Sequence, residues 1–579
     1  MTESTRPLPP LIPLSHGGWE VNSFMSSTEY TIRGMGLKPP NHVIPVIVVP
    51  GIMGTNLRAK LNPRPMRRIN EKNAKVDPGE VVWRPPNGTQ EGINASFEWS
   101  RIPPADRQKL FDGPTLEVDT GGPITLLDSV EGYELSEAQM RKQGWGEVHA
   151  DSYGVLLHAL QTRLNQTFGF DEVKKERYLL QHWKDVISCE PSKWGVREFE
   201  PLTEKHLAKH AKRYFPIYAV GYNWLEDCET SSERLESRIN EIIAFWQSAK
   251  RHCEQVILVT HSMGGLVARA CARRMPHKIA GIIHGVMPAF GAPAAYRRMA
   301  CGTESSSPDN GPLDNVAASA LAKILGETTE KTTPVLATSP GALELLPNHL
   351  YPGPWLHVRV TTSIGKPQSA GVATKADLAR NVAASGDYLH FPGASWPNPY
   401  DMYRDLTSWY RLVNPELADP AGKYRKLKDG IADAIKAAIT TAERFHRSLG
   451  DYYHPNTYAF YGNDQHKRSY GCVRWVARQP PGAATVVTPA NVNAAYFLGH
   501  TARGQRRVRL EGKTDLLFDL EEQDARGDGT VPYQSGAGPS GKAKEVFATQ
   551  GYDHQGSYKH PDMLLLTLRL VVKIVQETT

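Results

Sequence analysis

The chain has 579 residues, 40% of them hydrophobic and 22% charged, with a formal net charge of +6. That composition belongs to a globular protein and excludes nucleic acid as a partner, because Lys and Arg are dispersed among Asp and Glu rather than gathered on a basic face. No apolar run is long enough to span a bilayer, and prolines break the N-terminal stretch where a signal peptide would need a continuous apolar core.

The expectation is therefore synthesis in the cytoplasm without a signal peptide or transmembrane segment, while the mild positive charge would assist attraction to anionic membrane surfaces. Cys189, Cys228, Cys253, Cys271, Cys301 and Cys472 form no C-x-x-C pair and no zinc-type cluster, and read as small buried thiols. The length exceeds the size at which one core usually stops growing. One large core with long insertions accounts for it better than several separate domains.

In chain order, residues 1–40 are a Pro-rich tail. His42 to Val49, rich in β-branched residues and ended by Pro50-Gly51, reads as a buried strand. Residues 60–145 are irregular and read as an insertion. Leu156, Leu157, Leu160 and Leu164 mark a helix from Ser152 to Leu164. Phe215–Val220 is a second strand, followed by a helix capped near Ser231 or Ser232, with Leu235, Ile239, Ile242 and Trp246 as its buried stripe.

Gln255–Thr260 is a third strand. The sharp turn His261-Ser262-Met263-Gly264-Gly265 follows, then a helix from Leu266 to Arg274 and a strand from Ile279 to Val286. Residues 301–454 break this rhythm and read as a cap or lid. They include a helix with apolar positions at Leu427, Ile431, Ile435, Ile439 and Ala442. They also include Trp/Tyr/Pro-rich stretches whose Trp396, Tyr400, Tyr403, Trp409 and Tyr410 either line an acyl groove or pack the cap. Strands return at Thr457–Tyr461 and Glu545–Thr549, and a helix begun by Pro561 closes the chain. The division is thus a core in two parts, 41–300 and 455–579, around the insertion at 301–454. The fold class is α/β, a mostly parallel central sheet with helices on both faces.

A serine hydroxyl needs a base within hydrogen-bond reach, and the base needs an orienting carboxylate. Thr260-His261-Ser262-Met263-Gly264, between a strand and a helix, suits a nucleophile elbow with Ser262 as nucleophile, although Thr260 stands where the G-x-S-x-G pattern has glycine. Asp528 in Gly527-Asp528-Gly529 and His554, placed after the last strand, complete the order Ser, Asp, His. Asp524 and His560 are the rivals, and His560 is better placed to cap the helix at Pro561. The His261 side chain should point away from Ser262. Oxyanion donors are expected from the backbone N–H of Met263 and from the loop Pro50–Thr55, at Met53 first and Ile52 second. No metal site and no cofactor are expected; calcium held by loop carboxylates is left open.

These segments bear a resemblance. Val46 to Leu57 resembles the opening strand and oxyanion loop of the lecithin–cholesterol acyltransferase-like lipases, and Gly221-Tyr222-Asn223-Trp224 resembles the segment ahead of their elbow helix. Thr260 to Gly265 is similar to the elbow of GPI inositol-deacylase-like lipases. Gly291-Ala292-Pro293, Leu345-Leu346-Pro347, Phe460-Tyr461-Gly462 and Gly527 to Val531 recur in that family's order. The resemblance implies an α/β-hydrolase fold with a hydrophobic cap or lid over a Ser-Asp-His site, and lipid esters as substrates. Gly144 to Val148 and His284 to Pro293 look most like the bacterial type VI secretion phospholipase effectors. That likeness implies a phospholipid membrane as substrate, a cognate immunity protein and a secretion-machine spike component as partners, and action at the target-cell membrane in the periplasm. The alternatives are a soluble carboxylesterase, an acyltransferase, or a non-catalytic binding module.

Overall fold

The computed structural model describes residues 40–61, 77–126, 135–171, 173–174, 176–307, 309–362, 387–394, 396–479, 486–511 and 514–578, with two short strand segments at 12–13 and 19–20. The Pro-rich tail at 1–40 and parts of the expected insertions thus lie largely outside the described residues.

Six strands build the central sheet: β1 (Val46–Val49), β2 (Ile217–Ala219), β3 (Val256–His261), β4 (Ile279–Gly285), β5 (Thr457–Gly462) and β6 (Glu545–Thr549). Their order is β2-β1-β3-β4-β5-β6, and every neighbouring pair is parallel. Almost every residue of β1 to β5 is buried, which is why these strands read as continuous apolar runs rather than alternating ones.

Helices cover both faces. On one lie α2 (Cys228–Ser248) and α3 (Gly264–Arg274), packing Leu235, Ile239, Leu266 and Val267 against Ile47, Val49, Leu258 and Ile282. On the other lie α1 (Ala150–Asn165) and α5 (Pro561–Glu577), packing Leu156, Leu160, Leu566 and Leu570 against Val46, Val48, Ile257 and Phe460. Odd and even strand positions thus feed opposite layers, as the pleat requires.

Three local expectations need correction. The strand expected over His42–Val49 is two: His42–Val43 pairs with Arg213–Tyr214, and β1 begins at Val46. Pro45, and Pro216 in the facing segment, have no N–H to give the ladder, so pairing lapses at both. Helix α2 starts at Cys228 rather than near Ser231. Asp227 caps it, its carboxylate accepting the Thr230 N–H at 3.0 Å, while the hydroxyls of Ser231 and Ser232 donate back to the carbonyls of Asn223 and Glu229. The helix expected from Leu427 is α4 (Ile431–Leu449), and Leu427 is exposed. Gly430, at φ 59°, marks the break before it.

A second six-stranded sheet runs 387–391, 356–362, 473–479, 515–520, 506–509, 496–500 in spatial order. Its pairs are antiparallel except that between 356–362 and 473–479. It draws strands from both sides of β5. The expected boundary at 454–455 therefore meets the start of β5 but not a continuous second half of the core, since residues 473–520 leave the central sheet. Tyr400, Tyr403, Trp409 and Tyr410 are each about 1% exposed in the core of this second unit, with Trp409 stacked on Phe518 at 4.3 Å. Of the two roles open to this Trp/Tyr group, these four take packing. Among the described residues no helix is long and apolar enough to cross a membrane, and no disulfide joins the six cysteines.

Candidate active site

Strand β3 delivers the chain to Ser262, and α3 carries it away from Gly264. Between them Ser262 is held at φ 52°, its N–H on the Gly285 carbonyl (2.9 Å) and its own carbonyl accepting the Gly265 N–H (2.9 Å). The turn presses on the end of β1. A Cβ at Gly264 would lie 2.4 Å from the Pro50 carbonyl oxygen and 2.5 Å from that of Val49, so only glycine fits. Thr260 fits where the pattern has glycine because its hydroxyl turns to β4 and meets His284 Nδ1 at 2.9 Å.

Four non-glycine residues among those described have positive φ. Three of them, Met53 (61°), Ser262 (52°) and Val286 (45°), follow the ends of β1, β3 and β4. Such a backbone costs about 1–3 kcal/mol per residue and persists only where the surroundings enforce it. Val286, being β-branched, is the least comfortable of the three. Strain is thus gathered at one edge of the sheet, the carboxyl ends of its strands.

At that edge Ser262 Oγ lies 2.8 Å from His554 Nε2, and His554 Nδ1 lies 2.8 Å from Asp528 Oδ2. Asp528 is 1% exposed. Its other oxygen accepts the N–H groups of Thr530 (3.0 Å) and Val531 (2.7 Å), while its carbonyl accepts the His554 N–H at 2.7 Å. Side chain and backbone therefore fix the carboxylate against the imidazole. The rivals stand elsewhere. Asp524 accepts the N–H groups of Gly471 and Cys472, and His560 occupies the cap position of α5.

The loop Pro50–Gly54 lies against Ser262, since a Cβ at Gly51 would stand 3.0 Å from Ser262 Cβ. The Gly54 N–H closes this turn on the Gly51 carbonyl, and the Trp83 indole donates to the Met53 carbonyl at 2.8 Å. The loop that carries Met53 and the turn that carries Met263 thus meet Ser262 from two different elements, and Ile52 is half-buried. Trp83 belongs to an aromatic group with Trp99, Phe111 and Trp224, ring centroids 5.4–6.0 Å apart, which the sequence did not single out. His261 is likewise more than a neighbour of Ser262. It bridges Tyr153 and the backbone of His554.

Burial pushes the His261 pKa down to about 3, assisted by the positive charge His554 can carry; burial, then Arg269, does the same at His284. Burial also holds His210 and His446 at about 4. In the unfolded chain these imidazoles titrate near 6.5. Below that pH the unfolded state takes up protons that the folded state refuses, so stability is intact above about 6.5 and falls as pH drops toward 4. Each group contributes about 1.4 kcal/mol per pH unit. The denaturation midpoint is expected to fall steadily between pH 7 and pH 5; a flat profile there would contradict the neutral burial of these four residues. Among the described residues, no group of three or more His, Cys, Asp or Glu could hold a metal ion.

Residues 225–303, from the approach to α2 through the elbow and β4, match the family model of the PGAP1-like alpha/beta domain. Among solved structures the chain is similar to one described as the crystal structure of the Tle4–Tli4 complex. The identity is 28% and the TM-score 0.69, over 93% of this chain and 99% of that one. No curated protein matches it. Sheet order and matches together establish an α/β-hydrolase fold and bear out the resemblance read from the elbow.

Proposed function

We propose that this α/β hydrolase is a serine phospholipase that cleaves acyl esters of glycerophospholipids through an acyl-serine intermediate. One observation carries the reading: the unbroken hydrogen-bond chain from Ser262 through His554 to Asp528, mounted on a strained strand-to-helix turn.

Ser262 Oγ attacks the ester carbonyl as its proton passes to His554 Nε2, and Asp528 steadies the resulting imidazolium. The N–H groups of Met53 and Met263 receive the oxyanion. Collapse expels the lysophospholipid alkoxide, which takes the proton from His554. Water then enters, gives its proton to His554 and attacks the acyl-serine; the proton returns to Ser262 and the fatty acid leaves. Every step uses groups of this chain and water, with no cofactor. An alcohol entering in place of water would make the same site an acyltransferase.

The aromatic group Trp83, Trp99, Phe111 and Trp224 packs beside the proposed oxyanion loop, to which the Trp83 indole ties it; the preference for a lipid over a small polar ester rests on the resemblance to the lipases. Ser262 is only 4% exposed, so the reading requires the residues that cover it to move at a lipid surface. The likeness to type VI phospholipase effectors, and to Tle4 in its complex with Tli4, supports delivery to a target-cell membrane. It also supports an immunity protein as partner and carriage by a secretion-machine spike component.

Mass spectrometry after incubation with phosphatidylethanolamine–phosphatidylglycerol vesicles is expected to show fatty acid and lysophospholipid in equal amounts, formed faster than short soluble esters are cleaved. A preference for short soluble esters would displace the lipase reading in favour of a carboxylesterase. Failure of a fluorophosphonate to label Ser262 would displace catalysis altogether.

A further inference from the structure

We propose that Tyr153 and His261 are positioning residues: a neutral hydrogen-bonded strut that sets the oxyanion loop and the general-base loop at a fixed span across Ser262. The inference rests on the acyl-serine reading above but not on the identity of the ester.

The strut has three bonds. The Gly51 N–H donates to the Tyr153 hydroxyl at 2.9 Å; that hydroxyl lies 3.0 Å from His261 Nδ1; and His261 Nε2 lies 2.9 Å from the His554 carbonyl oxygen. Both ends are chemically fixed. A backbone N–H can only donate and a carbonyl can only accept. The Tyr153 oxygen therefore accepts from Gly51 and spends its own hydrogen on His261 Nδ1. Nδ1 is then bare, and Nε2 carries the proton that reaches His554. One arrangement of hydrogens satisfies the whole chain, and it needs a neutral His261. Tyr153 and His261 are 2% and 3% exposed, and burial of the imidazole enforces that neutrality.

What the strut joins gives it its role. Gly51 opens the turn that carries Met53. His554 is the base, and its loop is anchored a second time to the start of α1, where the Gln555 amide reaches the Ser152 hydroxyl and Lys559 pairs with Asp151 at 2.8 Å. Tyr153 stands on that same first turn of α1, and His261 is the residue before the nucleophile. Oxyanion donor, nucleophile and base are thus spaced by one rigid element that touches no substrate. The rings of His261 and His554 are 5.1 Å apart. A charged His261 would leave the buried Tyr153 hydroxyl hydrogen without its acceptor in the strut and repel the imidazolium that the reaction forms at His554.

The experiment compares Tyr153→Phe, His261→Phe and His261→Gln with the full-length protein, each rate divided by the amount of fluorophosphonate-titratable Ser262 so that loss of folded protein cancels. Displacement of reacting groups by fractions of an ångström is expected to lower kcat about 10- to 100-fold in both phenylalanine variants, with KM unchanged. Glutamine has an acceptor and a donor on one planar group and is expected to recover most of the loss. Wild-type kcat per titrated site in Tyr153→Phe and His261→Phe would overturn the proposal, as would His261→Gln behaving no better than His261→Phe. If the wild-type protein cleaves only short esters, the phospholipid reading falls and this comparison runs unchanged on those esters. If it neither cleaves esters nor labels at Ser262, both readings fall together.

Discussion

Ser262→Ala is expected to reduce phospholipid hydrolysis on the order of a million-fold, to the level left by bound but uncatalysed substrate. The size of the effect follows from the geometry. His554 Nε2 has the Ser262 hydroxyl as its partner at 2.8 Å, so removing that oxygen removes the nucleophile and the base's task together. The fold should remain, because the Ser262 backbone holds the turn through its own N–H and carbonyl. A second replacement sharpens the test. At φ 52° an L side chain costs about 1–2 kcal/mol that glycine does not incur. Ser262→Gly should therefore be as inactive as the alanine variant yet more resistant to denaturant by about that amount. Product assays and urea midpoints on the pair check both statements; hydrolysis surviving in either variant would remove Ser262 from the chemistry.

Asp528→Asn is expected to lower kcat about ten-thousand-fold with little change in stability. Asp528 uses one oxygen to accept the N–H groups of Thr530 and Val531 and the other to face His554 Nδ1. An amide has one acceptor atom, and the two backbone donors claim it. Its NH2 group then points at Nδ1, which must accept and so lose its hydrogen. The proton moves to Nε2, where it faces the Ser262 hydroxyl and stops His554 from acting as a base. Turning the amide round would set NH2 against two N–H groups at 3.0 and 2.7 Å. A pH–rate profile and the fluorophosphonate labelling rate, measured beside circular dichroism, check this; a loss below tenfold would mean that the carboxylate does not set the tautomer.

The central sheet was legible because its strands are buried on both faces and so appear as apolar runs, and because Ser262, Asp528 and His554 each follow such a run or a glycine-flanked turn. Legibility failed where the signal is not local. Pro45 and Pro216 interrupt ladders that composition alone would draw through them. The second sheet pairs 356–362 with 473–479, more than a hundred residues apart, using strands such as Arg506–Arg509 and Asp515–Leu520 that bury only alternate residues. Tyr153 sits on a helix stripe like any core residue. Its importance comes from a hydroxyl aimed at a loop 102 positions earlier, which no periodicity announces. His261 showed only its adjacency to Ser262, and adjacency in a strand means opposite faces.

The interleaving of the two sheets also dictates when the proposed site can first assemble. Ser262 and the Pro50–Gly54 loop are made early, but Asp528 follows the whole of the second sheet, and His554 follows β6, which lies at the edge of the central sheet. A nascent chain still on the ribosome, or one cut short before Glu545, carries Ser262 without the imidazole that its hydroxyl meets in the complete fold. On the phospholipase reading proposed above, a chain that lacks β6 and the loop after it has no lytic activity against the membranes of the cell that makes it.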